Sequence, residues 1–222
     1  MFSVAPAAIL GFVVGLRHAM DADHVAAVGA IVARERNLRG AALVGAAWGL
    51  GHTLSLLTLG GAIIAFGLVV PRRVGLLLEL GVGVMLLGLG VWNLVSRSRA
   101  HAHAHVHPSE GERAAPSSMR RALRPLVVGG VHGLAGSAAA ALVVVAAAGS
   151  ASWGLAYLLV FGIGTMLGMV ALTTALALPM GRALQRFRQA ESWMRIASGA
   201  LSFGVGALVV YQIGIRDGLF LQ

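Results

Sequence analysis

Arg17-His18-Ala19-Met20-Asp21-Ala22-Asp23-His24 interrupts an apolar stretch that runs from Val4 to Ala33. Its two imidazoles, two carboxylates and guanidinium are costly in a bilayer, at roughly 2.5–3.5 kcal/mol for each charged group at a helix centre. Such groups persist inside a membrane when they face the protein, pair with one another or hold an ion. On a helix at about 100° per residue, Arg17, His18, Asp21 and His24 share one arc of about 120°, while Asp23 falls on the other side. Either Asp23 meets a different helix, or the segment is unwound and gathers all four groups around a cavity, where irregular backbone is tolerated. Two imidazoles with two carboxylates point to a divalent cation; a hydrogen-bonded network without an ion is the plainer alternative.

Composition sets the surroundings of this motif. The chain has 222 residues, 58% of them hydrophobic and only 11% charged. A soluble domain carries about 25% charged residues, so the expected fold class is an all-α membrane protein. Six apolar stretches can be drawn, over 4–33, 41–70, 74–96, 125–149, 152–180 and 193–215. Each reaches the roughly 20 residues that cross a hydrocarbon core. The first lacks a basic leader and carries the polar motif, so it reads as a retained span and not a cleaved signal peptide.

All 17 basic residues are arginine, and cysteine is absent. Without cysteine there are no disulfides and no thiolate ligands, which argues against a thiol-redox carrier. The net charge of +9 does not imply nucleic acid, because the arginines sit between the apolar stretches. Thirteen of them follow the first, third and fifth stretches, against three on the opposite side. Positive loops stay in the cytoplasm, so both termini are expected outside a multi-pass cytoplasmic-membrane protein in contact with the lipid bilayer.

The expected organisation is a first three-helix unit over 1–96, a His-rich cytoplasmic loop over 97–124 and a second three-helix unit over 125–222. Gly15-Leu16-Arg17-His18-Ala19 aligns with Gly129-Gly130-Val131-His132-Gly133, and Trp48-Gly49-Leu50-Gly51 with Phe161-Gly162-Ile163-Gly164. Three spans per half would make the halves inverted, an arrangement typical of secondary transporters.

Further donors are His52 in the second stretch and His132, with Ser137 nearby, in the fourth. Thr165 could line a pathway in the second half. Arg17 would neutralise Asp21 or another uncoordinated carboxylate. Imidazole with carboxylate suits Ni²⁺, Co²⁺, Zn²⁺ or Cu²⁺ better than Mg²⁺ or Ca²⁺. His101, His103, His105 and His107 form a loop tract of a kind that binds transition metals weakly, as a buffer, sensor or delivery point.

Arg17-His18-Ala19-Met20-Asp21-Ala22-Asp23-His24-Val25 resembles the signature of the nickel/cobalt transporter family, and Trp48-Gly49-Leu50-Gly51-His52-Thr53 is similar to its second motif. The resemblance implies a permease for Ni²⁺ or Co²⁺, with His18, Asp21, Asp23, His24 and His52 as selectivity-site residues. Typical members have eight spans and acidic motifs in the second half. Here that half reads Gly129-Gly130-Val131-His132-Gly133-Leu134-Ala135-Gly136-Ser137, which resembles a shorter branch of urease-accessory membrane proteins.

The expected function is uptake of nickel, or cobalt, across the cytoplasmic membrane, with nickel-enzyme maturation proteins as candidate partners. No prosthetic group and no enzymatic activity are expected. The alternatives are an efflux protein, a non-transporting accessory protein for nickel-enzyme assembly, and an intramembrane metalloenzyme using His and Asp to activate water. The last is weakest, since no His-Glu-x-x-His run or nucleophile accompanies the motif.

Overall fold

The first apolar stretch does not form one helix. In the computed structural model, which describes residues 4–33, 35, 37–95, 122–136, 150–186 and 190–220, α1 (Val4–His18) stops at the motif and α2 (Ala22–Val32) starts anew. Between them the backbone tightens, with Met20 N–H donating to Arg17 O at 2.9 Å and Asp21 N–H to His18 O at 3.1 Å. Asp21 then takes an extended conformation (φ −62°, ψ 149°) as the residue preceding α2. An Asp there would ordinarily cap the helix through its side chain, a contact worth about 1 kcal/mol. Asp21 makes no such cap, because its carboxylate turns back to His18.

The remaining described elements are also helical. α3 (Leu38–Ser55) begins at Asn37, whose Oδ1 accepts the Gly40 N–H at 2.6 Å. It passes through a π-helical turn (Leu56–Gly60) into α4 (Gly61–Phe66), and Gly67, at φ 61°, ends the run. Left-handed backbone suits glycine, which has no Cβ to clash. α5 covers Arg72–Val95, α6 covers 122–136, α7 runs Ala151–Arg186 with Pro179 inside it, and α8 spans Ala190–Tyr211 before a second π-helical turn (Gln212–Arg216).

Among the described residues, four stretches are long and apolar enough to cross a membrane: Leu38–Phe66, Arg72–Val95, Ala151–Pro179 and Ser192–Arg216. Ala8–His18 and Ala22–Val32 are shorter apolar helices, the two parts of the broken first stretch. The result is a multi-pass helical membrane protein. Of the two possibilities open for the first stretch, the structure has the broken one: Asp21 takes extended backbone at the point where the polar groups concentrate.

The broken halves serve different neighbours. α1 lies along α7, whereas α2 packs against α8, α5 and α7. α3 also lies along α7, and α5 pairs with α8. A buried cluster including Ala27, Val28, Trp48, Leu86 and Met169 joins these pairs.

Glycine sets how closely they approach. A methyl on Gly15 would strike the Phe161 carbonyl oxygen, and one on Gly164 would strike that of Phe12. At the α3–α6 crossing, Gly129 meets the Trp48 carbonyl in the same way, and Gly51 that of Leu126. Small residues allow such crossings where hydrophobic burial gives helices little reason to associate. Among the described residues, side chains also bond to backbone carbonyls across helices, including Thr53 Oγ1 to Gly162 O at 3.0 Å, Asn93 Nδ2 to Ala30 O at 2.7 Å, and Ser202 Oγ to Leu86 O at 2.9 Å.

Candidate metal centre

The break between α1 and α2 brings His18 and His24 together with rings from two other helices. His18 ends α1 and His24 lies in the first turn of α2, yet their ring centroids are only 4.7 Å apart. His52, four residues after Trp48 on α3, stands 5.3 Å from each of them. His132 comes from α6 and lies 4.2 Å from His24. His24, His52 and His132 are buried, while His18 and Asp23 are partly exposed.

Two carboxylates hold these rings. Asp21 Oδ2 is 2.8 Å from His18 Nδ1. Asp23 Oδ1 accepts the His24 backbone N–H at 2.9 Å and lies 3.2 Å from His24 Nδ1. The other oxygen of Asp23 is 2.8 Å from His132 Nε2. Lying in the first turn of α2, Asp23 also meets the positive end of a helix dipole, which favours its charge.

Several ring nitrogens remain without a hydrogen bond: His24 Nε2, both nitrogens of His52, and His132 Nδ1. Buried polar atoms in native proteins are nearly always paired. A neutral imidazole keeps a lone pair on one of its two nitrogens, and a buried lone pair without a hydrogen bond is what a cation would use. One donor atom each from His18, His24 and His52 lies within 4.8 Å of the others, and so do donors from Asp23, His24 and His132. His24 belongs to both groups.

The structure thus brings together His18, Asp21, Asp23, His24, His52 and His132. The expected pairing of Arg17 with Asp21 is corrected: Asp21 bonds His18, and Arg17 is exposed. Asp21 lies four positions after Arg17, but α1 has ended before Asp21, so the spacing no longer stacks them. Thr165 is buried on α7, and its hydroxyl donates to Phe161 O in its own helix at 3.0 Å. Ser137, His101, His103, His105 and His107 lie outside the described residues.

Two aromatic walls were not among the expected site residues. Trp48 is fully buried, 5.8 Å from the His132 ring and 6.5 Å from that of His24. Phe161 lies 5.4 Å from the His18 ring. The signal was available, because Trp48 precedes His52 by four residues and so shares its helical face.

Fold and site define the class as a multi-pass helical membrane protein with a buried imidazole–carboxylate cluster at a broken helix. The chain belongs to the family described as the cytochrome c biogenesis protein transmembrane region, whose model matches residues 7–208. It is 35% identical over 218 residues to urease accessory protein UreH of Bacillus sp. (strain TB-90), covering 95% of this chain and 93% of that protein. No solved structure matches it. The resemblance to urease-accessory membrane proteins is supported at this level, and the matches extend through both halves of the chain.

Proposed function

We propose that this protein is a permease for a divalent transition metal, nickel or cobalt, carrying it into the cell across the cytoplasmic membrane. One observation carries the reading: buried imidazole nitrogens of His24 and His52 lack partners beside His18, at a helix break. Discontinuous helices of this kind form ion sites in secondary transporters. The relative named as a urease accessory protein supports a link to nickel-enzyme maturation. The ion would shed water from outside and bind neutral imidazoles. It would then pass to the cytoplasmic side, where the loop of His101, His103, His105 and His107 could receive it.

We read the chain as six spans in two inverted halves. The glycine crossings support this, because Gly15 on Phe161 and Gly129 on Trp48 occupy aligned positions of the two halves. So do Gly164 on Phe12 and Gly51 on Leu126. Rocking of the halves about the cluster would expose it to each side in turn. With no lysine the chain has no phosphate-binding Gly-x-x-x-x-Gly-Lys motif, so the membrane potential is the drive we assign, at about 2.3 kcal/mol per charge per 100 mV.

Proteoliposomes holding the full chain should take up ⁶³Ni, and His24→Ala should abolish that flux. Equal flux from both would end the reading. Cells expressing the chain should accumulate ⁶³Ni; net loss would make it an exporter. The relative's name also favours a second reading, a non-transporting accessory protein. A chain that binds nickel but moves none would establish that instead.

A further inference from the structure

The carboxylates of the motif are already engaged. Asp23 takes three donors, the backbone N–H and Nδ1 of His24 on one oxygen and Nε2 of His132 on the other. Asp21 gives up its place as a helix cap and bonds His18 Nδ1. An ionised carboxylate only accepts hydrogen bonds, so the ring nitrogens facing Asp21 and Asp23 carry the protons. In a neutral imidazole the opposite nitrogen then holds the lone pair. For His18 and His24 that nitrogen is Nε2, and His24 Nε2 is buried without a partner. His52 faces the same place with neither nitrogen bonded.

We propose that the ion's first shell from this protein is all nitrogen, made of His18 Nε2, His24 Nε2 and one nitrogen of His52, and that Asp21 and Asp23 are positioning residues that never touch the ion. This rests on the permease reading for the identity of the ion. The chemistry is that of metal-bound histidines generally, whose far nitrogen donates to a carboxylate that fixes the tautomer and strengthens the donor. Two carboxylates one ring away balance the charge of a divalent cation without displacing a ligand. One nitrogen from each of the three rings already lies within 4.8 Å of the others, and bonds of about 2.1 Å require a separation of roughly 3.4 Å. Three imidazoles select for cobalt, nickel, zinc or copper and leave magnesium and calcium unbound. His132 stands outside this shell because its donor converges with those of Asp23 and His24 and is not grouped with those of His18 and His52.

The test is the visible ligand-field spectrum of Co²⁺ bound to the purified full chain in detergent. In Asp21→Asn and Asp23→Asn the bands should keep their positions, while cobalt affinity falls by about 10–100-fold, the usual cost of losing an outer partner. In His52→Gln the bands should move. Asp21 is half-exposed, so its replacement leaves the fold intact and the test stands even if Asp23→Asn does not assemble. Bands displaced by either Asn substitution, or unmoved in His52→Gln, would overturn the all-nitrogen shell. No cobalt binding by the native chain would overturn it together with the permease. The predicted spectra in a protein that carries no ⁶³Ni across vesicles would overturn the permease alone.

Discussion

At the scale of single residues, the cluster depends on nitrogens that must be unprotonated to bind a cation. Metal binding therefore releases protons, and acid opposes it. Equilibrium ⁶³Ni binding by the full chain should therefore fall as the medium is acidified and recover when it is returned to neutral pH. Binding that acid leaves unchanged while the ligand rings become protonated would contradict imidazole ligation. His52→Ala removes a donor altogether and should weaken binding by more than about 100-fold, the upper end for outer partners. Here the residue types were legible before the geometry: His18, Asp21, Asp23, His24 and His52 are too polar for their apolar setting to be incidental. Their roles were not. Arg17 and Asp21 have a spacing that pairs them on a continuous helix, and the chain does not keep that helix.

At the scale of elements, close crossings at glycine govern how the helices meet. A methyl on Gly51 would collide with the Leu126 carbonyl, whereas Gly29 has open space around its Cα. Gly51→Ala should cost about 1–3 kcal/mol through overpacking. Gly29→Ala should be neutral or gain up to about 1 kcal/mol from helix propensity. Thermal denaturation in detergent would rank the two, and equal midpoints would refute the crossing. Thr53→Val keeps shape but loses the bond to Gly162 O, which should cost about 0.6 kcal/mol, the average for such bonds in a membrane. The four long spans were legible from their apolar length. The break between α1 and α2 was open as one of two possibilities, because periodicity describes a helix and cannot state where one stops.

At the scale of the whole molecule, arginine placement bears on orientation. A chain without cysteine is ready for single-cysteine labelling. In sealed cells an impermeant maleimide should modify Arg73→Cys and leave Ser98→Cys untouched until the membrane is opened. The reverse pattern would invert the topology and, with it, the side from which metal enters. The match over residues 7–208 to a transmembrane family accords with a chain that crosses the bilayer several times.

The amino-acid order alone determined that this is a helical membrane protein with metal-type donors in its first apolar stretch. Bilayer length and the penalty on buried charge are local constraints, written along the chain. Only the tertiary structure decided that His132 from α6 meets the motif beside His52, and that Trp48 and Phe161 wall it. Those contacts join residues up to more than a hundred positions apart, and close backbone crossings at Gly51, Gly129 and Gly15 create them. Which nitrogens are left without partners follows from that meeting and has no counterpart in the one-dimensional pattern.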